Sequence, residues 1–134
     1  MRLLVSLLLV LILACPSWAA QSGIYQGNVT GTVLDVGPTD AKSPCIVYAI
    51  QFLNTTAAVA YLQVFNTKAA SVTIGTTAPI ATFGVPASGQ VTVLFPTDGW
   101  FVGGTGLSVA GTTARAGATG AAQDVNIVFS CLGH

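Results

Sequence analysis

Charged residues are scarce in this sequence of 134 residues, and glutamate is missing altogether. Four Lys or Arg residues balance four Asp residues, and the single histidine is His134. Nucleic-acid binding relies on clustered Lys and Arg that neutralise phosphates, so this composition excludes DNA and RNA as direct ligands. Acid–base catalysis uses His or carboxylates with tuned pKa values. The sequence therefore predicts a protein that is not an enzyme and carries no cofactor.

The few aspartates do not form a recognisable metal site. Asp35, Asp40 and Asp98 could approach one another and bind Ca²⁺ together with backbone carbonyls. Their spacing resembles no Ca²⁺-binding loop, and they stand in turn-like segments where Asp normally hydrogen-bonds its own backbone. We predict turn residues there, and no metal.

In place of charge, the chain is rich in Thr, Val, Gly, Ala and Ser, a composition that favours strands over helices. At this length one domain is expected. Seven to nine short strands, separated by turn signals, predict an all-β fold over residues 20–134. We expect a single-domain antiparallel β-sandwich that resembles a jelly roll.

The most apolar segments of this domain are Ile46–Leu53 and Ala58–Phe65. A helix competes as an interpretation, but the β-branched and aromatic content favours two strands paired as a hairpin. Tyr48, Ile50 and Phe52 are predicted to share the heavier face of the first strand. Further along, the sequence predicts a short strand at 72–74, a turn at 86–89 with glycine supplying positive φ, and a surface loop at 112–123.

The first residues have the organisation of a secretory signal peptide. Arg2 precedes the apolar run Leu3–Ala14, which is predicted to be the signal helix and is too short to span a bilayer comfortably. Ser17-Trp18-Ala19 supplies small residues at the cleavage site, so residues 1–19 are assigned to the signal peptide. The mature chain, with no membrane span, is expected in the periplasm, on the cell surface or outside the cell.

Cys15 leaves two alternatives open for this segment. Ile12-Leu13-Ala14-Cys15 is similar to a bacterial lipoprotein box, in which the cysteine is lipidated, although Pro16 and Ile12 depart from the pattern. An uncleaved N-terminal anchor is the other alternative.

Cys45 and Cys131 remain after cleavage, and an even pair in an exported protein favours a disulfide. This bond would join the start of a central strand to the end of the last strand. Two separate buried thiols are the alternative.

Asp98, Trp100 and Phe101 are the candidate surface contact, because exposed aromatic residues are enriched at binding sites. The competing interpretation places both aromatic rings in the core. Strand edges that are rich in Thr and Gly and poor in charge have few features that prevent edge pairing, so we also expect a homo-oligomer.

The central stretch resembles a group of small β-sandwich proteins encoded by bacteriophages, prophages and environmental bacteria. The similarity covers roughly half of the mature chain. It lies in Tyr61–Asn66, Val72, Gly75–Pro79, the strand Ile80–Val85 leading into Pro86 and Gly89, and Gly106–Ala110. It implies a structural domain associated with a virion or a cell surface. The signal peptide and the disulfide depart from this pattern, because virion proteins assembled in the cytoplasm normally lack both.

The function expected from the sequence is that of an exported, non-enzymatic structural or interaction protein of phage-related origin. It would act through surface loops, either by decorating a virion or particle or by binding a host surface through a protein or glycan partner. The alternative is a secreted or periplasmic module that binds a carbohydrate or a hydrophobic ligand.

Overall fold

The computed structural model describes residues 21–36, 45–102 and 106–131. These residues form strands in chain order, with one turn of 3₁₀-helix, Ala69–Ser71, after the fourth of them. The strands are β1 (Gln21–Val29), β2 (Leu34–Asp35), β3 (Cys45–Asn54), β4 (Ala60–Phe65), β5 (Ala81–Val85), β6 (Gln90–Leu94), β7 (Trp100–Val102), β8 (Ser108–Thr112) and β9 (Gln123–Cys131). The predicted signal helix lies outside the described residues.

The strands form two antiparallel sheets that pack face to face. The five-stranded sheet has the order β1-β9-β3-β6, with β7 also paired to β3, and the four-stranded sheet has the order β2-β8-β4-β5. Two sheets of interleaved strands in these orders are the arrangement of a jelly roll. The predicted all-β, antiparallel sandwich is confirmed.

The core between the sheets is built from inward-facing residues of both. Ile50 and Phe52 of β3 and Ile127 of β9 project from the five-stranded sheet, and they are 1% exposed or less. Leu62 and Val109 project from the other sheet and are 0% exposed. At about 25 cal/mol per Å² of apolar surface buried, such side chains supply most of the stabilisation.

The predicted hairpin of β3 and β4 is wrong, although both strands exist. β3 pairs with β6, β7 and β9, whereas β4 pairs with β5 and β8. The segment between them is an arch that carries the chain from one sheet to the other. The consecutive strands β3 and β4 thus belong to different sheets, and both bury a face in the same core without hydrogen-bonding each other.

The predicted inward face of β3 is wrong at one residue. Tyr48 is 37% exposed, because the register of β3 against β9 shifts between Val47 and Ala49. This β-bulge inserts one residue and reverses the alternation on either side of it. As a consequence Cys45 and Val47 also face the core, and they are 2% and 0% exposed.

Local predictions in the loops had mixed outcomes. The turn at 86–89 forms, with Gly89 N donating to Pro86 O at 3.1 Å, but Ser88 rather than glycine adopts positive φ, at 49°. Residues 72–74 lie in a loop after the 3₁₀-helix. The loop predicted at 112–123 spans residues 113–122, because Thr112 ends β8 and Gln123 begins β9; an isolated bridge joins Thr112 to Gly120.

Candidate interaction surface

The outer face of the five-stranded sheet carries an apolar patch, in which Tyr48, Leu94 and Val128 are exposed and Ile46 and Ala49 are half-buried. Ala49 lies opposite Val128 on one side and Leu94 on the other, so the patch crosses three neighbouring strands. Leu94 is 74% exposed. The bulge contributes here as well, because it turns both Tyr48 and Ala49 outward. Contiguous exposed apolar residues on a sheet mark interaction surfaces.

The other half of this face is polar and almost uncharged. Asn126 Nδ2 donates to Gln51 Oε1 at 3.2 Å, and Asn28 Nδ2 donates to Asp124 Oδ1 at 2.9 Å. The Asp124 carboxylate therefore already accepts a neutral cross-strand partner. A partner that binds this face would meet amide groups and apolar side chains rather than a strong electrostatic field.

None of the patch residues was predicted from the sequence as a contact surface. Alternation in β6 places Val91, Val93 and Phe95 on one face, so Leu94 is left on the opposite face together with Thr92. That signal would have been sufficient to find Leu94. Tyr48 could not be found in the same way, because the pattern of the sequence does not reveal a bulge.

The predicted contact residues Asp98 and Trp100 lie in different environments. Asp98 is exposed in the turn before β7, where Gly99 N donates to Pro96 O at 2.7 Å. The Trp100 ring packs against the core and stacks on Phe95 with a centroid distance of 5.3 Å. For Phe101 the structure describes only the backbone, which is paired with Ile46.

Trp100 belongs to a cluster of aromatic rings along one side of the sandwich. Phe83 of β5 packs edge-on against Trp100 at 6.4 Å and lies 5.9 Å from Phe52. These rings join the edge strands β5 and β7, which belong to different sheets. Such contacts add about 0.5–1.5 kcal/mol each to stability, beyond the burial of apolar surface. Trp100 therefore contributes to the stability of the fold.

Cys45 and Cys131 are directly opposite each other in the register of β3 and β9. Cys45 is buried at the inner face of its strand. The backbone thus brings together the two residues that the sequence paired, and the disulfide remains a prediction.

A buried amide group occupies the outer side of the four-stranded sheet. Gln63 is 1% exposed, and its Nε2 donates to the carbonyl oxygens of Arg115 and Gly117, both at 3.2 Å. Its Oε1 accepts no hydrogen bond from the described residues. Gln63 also lines a small cavity of about 220 Å³ beside Thr76 and Pro79.

A wider, open depression lies between the β1–β2 connection and the 3₁₀-helix. Its volume is about 560 Å³, within the range of small-molecule sites. Asp35 Oδ1 accepts a hydrogen bond from Ala69 N at 2.7 Å and so fixes one wall. The lining residues are small, and together they present both polar and apolar surface: Gly31, Thr32, Val33, Ala69, Ala70, Val72, Thr73 and Ile74.

Metal-ligating side chains are dispersed in the part of the chain that the structure describes. Within residues 21–36, 45–102 and 106–131, His, Cys, Asp and Glu do not gather in groups of three or more. Asp40, one of the three aspartates considered for Ca²⁺, lies outside these ranges. Over the same ranges, the helical content includes nothing long and apolar enough to cross a membrane.

Comparison with known proteins gives little further information. No family model matches the sequence, and no curated protein matches it significantly. Among solved structures, the chain is similar to a protein of Bacillus endospore appendages, described as a novel family of disulfide-linked pili. The identity is 13% and the TM-score 0.41, over 90% of this chain and 97% of that one. A likeness at this level assigns neither a family nor a function.

Proposed function

We propose that this protein is an exported, non-enzymatic structural or interaction protein that acts through the outer face of its five-stranded sheet. The observation that carries the proposal is the exposed apolar patch around Leu94, on a face whose described side chains include a single carboxylate, that of Asp124. Isolated exposed apolar residues are ordinary, but a patch that crosses three strands favours a macromolecular contact.

The proposal of export depends on the predicted signal peptide, residues 1–19. The described strand β1 runs from Gln21 to Val29, so cleavage after Ala19 removes none of its residues. A peptidase acting there would leave the strands of the sandwich intact. Residues 1–19 would then direct the chain across the membrane without being part of the domain.

The test of export is fractionation of a bacterium that expresses the whole chain, followed by mass spectrometry of the recovered protein. We expect recovery from the periplasm, the cell surface or the medium, with the chain starting at Ala20 or Gln21. A lipidated chain starting at Cys15 would support anchored export. Recovery from the cytoplasm with residues 1–19 attached would overturn the proposal.

The contact surface is tested by Leu94→Gln, with Leu53→Gln as the matched control. Both leucines are exposed on the same face, at 74% and 39%, but Leu53 lies beside Gln90 and Asp124, in the polar half. We expect Leu94→Gln to reduce retention on whole cells at least several-fold, and Leu53→Gln to have little effect. Equal retention of both variants and the parent would count against this surface.

A phage-related origin, and with it decoration of a virion, is the finer part of the proposal and depends on the resemblance of the central stretch. Genomic neighbourhood tests it. Flanking capsid and tail genes would support a phage origin, whereas a secretion or pilus cluster would overturn it.

The open depression favours a second candidate, a module that binds a carbohydrate or a hydrophobic ligand. It would use this depression rather than Trp100, whose ring is stacked on Phe95. Ala70 is an exposed lining residue, so Ala70→Trp should block ligand binding on a glycan panel, whereas Ala87→Trp in an exposed turn should not. If the parent protein binds nothing on the panel, the carbohydrate version is dropped.

A further inference from the structure

Each sheet of the sandwich ends in two edge strands, and the four edges differ in how well they could accept another strand. β1 and the β6/β7 pair form the edges of the five-stranded sheet, and β2 and β5 form those of the four-stranded sheet. An edge strand presents unpaired N–H and C=O groups, and proteins usually block such edges with proline, charge, bulges or shortness.

Three of these edges carry such features. β2 is only two residues long. β5 has five residues and lies between Pro79 and Pro86, which have no N–H to donate. The β6/β7 edge is interrupted by the turn Pro96–Gly99, which contains the exposed carboxylate of Asp98.

β1 has none of these features. It is nine residues long, contains neither a charged residue nor a proline, and pairs with β9 in continuous register from Gln21 to Val29. Among the described strands, β9 is its only hydrogen-bonded neighbour. In an antiparallel strand, alternate residues direct their N–H and C=O groups away from the neighbour, so β1 offers a regular row of donors and acceptors.

We propose that β1 pairs antiparallel with β1 of a second copy of this chain around a two-fold axis. The partner strand is β1 itself because the other described edges are shorter or interrupted, and a contact between identical surfaces closes as a dimer. Full overlap places the axis near Tyr25, the central residue of the strand. The two five-stranded sheets then become one continuous sheet.

The outer face of the five-stranded sheet supports this arrangement, because its side chains next to the proposed axis are uncharged. Gln26 is exposed on β1 and begins a row that continues through Asn126, Gln51 and Thr92. Across the axis, the two Gln26 side chains become diagonal neighbours, about 7–8 Å apart between Cα atoms. Neutral amides at this distance cause no repulsion and can hydrogen-bond.

The test is sedimentation of the mature exported chain over a range of concentrations, with Gln26→Lys and Gln26→Asp as variants. Like charges directly opposite each other across a strand pair are destabilising by up to about 1 kcal/mol. Because the two residues at 26 are diagonal neighbours, each variant alone should raise the dimer Kd by at most about five-fold. An equal mixture of the two should restore dimerisation. Gln90→Lys is the matched control, because Gln90 is an exposed glutamine on the opposite edge.

A second measurement does not depend on substitution. Amide hydrogen exchange of the parent is measured in dilute solution and at concentrations where the dimer forms. Exchange should be slower in the dimer at alternate residues of β1, and at no residue of β6. A monomer at every concentration, open fibres, or a dimer sensitive to Gln90→Lys but not to Gln26→Lys would overturn the inference. A monomer that is nevertheless exported would leave the proposed function standing.

Discussion

The side chain of Asn54, at the end of β3, donates a hydrogen bond from Nδ2 to the backbone oxygen of Pro86 at 2.9 Å. It thereby joins the last residue of a strand in one sheet to the turn that follows β5 in the other. The same amide donates to Ala58 O at 2.7 Å, and its Oδ1 accepts from Thr56 N at 2.9 Å. Asn54 is 0% exposed, so its amide group depends on these bonds and has no access to water.

Replacing Asn54 should therefore be costly. Asn54→Ala leaves the carbonyl groups of Ala58 and Pro86 without this donor, and we expect a loss of about 3 kcal/mol in the free energy of unfolding by urea denaturation. Asn54→Asp retains the acceptor for Thr56 but turns a carboxylate oxygen toward carbonyl oxygens, so at neutral pH it should cost at least as much. Asn66→Ala, at an exposed asparagine, should change stability by less than about 0.5 kcal/mol.

The arch at Asn54 also explains what the sequence could and could not predict. Strand positions follow from apolar runs and turn residues, and most of them were found. Which strands pair is a long-range property: the last strand, β9, pairs with the first strand, β1, and also with β3. The polar break at Asn54–Thr56 predicted a turn, but nothing in those residues distinguishes a hairpin from an arch between sheets.

The candidate surface could not be predicted from the sequence for a related reason. A single inserted residue at Tyr48 moves that side chain from the predicted core face to the outer face, and a bulge has no reliable signature in side-chain pattern. For Trp100 the sequence left two interpretations open, a surface contact and packing in the core. An aromatic residue next to a turn can face either way, and here the packing of Phe83 and Phe95 places its ring against the core.

Gly120 should not tolerate any side chain. A Cβ at this position would overlap the backbone nitrogen and Cα of Gly31, and neither backbone segment can move as a flexible side chain could. We expect Gly120→Ala to destabilise the fold by about 2 kcal/mol or more. Gly84→Ala is the matched control: its Cβ would meet Tyr61 Cε1 at 3.4 Å, an ordinary contact. Thermal melting that shows equal loss in both variants would contradict this account.

Loss of the predicted disulfide should be detected by comparing single and double substitutions. If Cys45 and Cys131 are bonded, Cys45→Ala, Cys131→Ala and the double variant should each lose a similar amount, about 4 kcal/mol for a loop of this size in the chain-entropy model. Reductant should destabilise the parent but not the double variant. Additive losses in the single variants, or a parent mass that reduction leaves unchanged, would indicate separate thiols.

Tyr25 should give the protein a specific sensitivity to alkali. Burial raises the pKa of the Tyr25 phenol above its ordinary value in the folded state, because desolvation disfavours the phenolate. The folded state then holds this proton more tightly than the unfolded chain, so the contribution to stability is complete below pH 10 and is lost as the pH rises further. Tyr25→Phe has no proton to lose at this position.

The measurement is the free energy of unfolding of the parent and of Tyr25→Phe between pH 8 and pH 11. The difference at pH 8, where the phenol is protonated in both states, reports packing alone and serves as the baseline. Above pH 10 the parent should lose stability faster than the variant, so the difference should move in favour of Tyr25→Phe. Parallel curves over the whole range would show that ionisation of Tyr25 is not linked to folding, and the burial of its hydroxyl group would then have to be reconsidered.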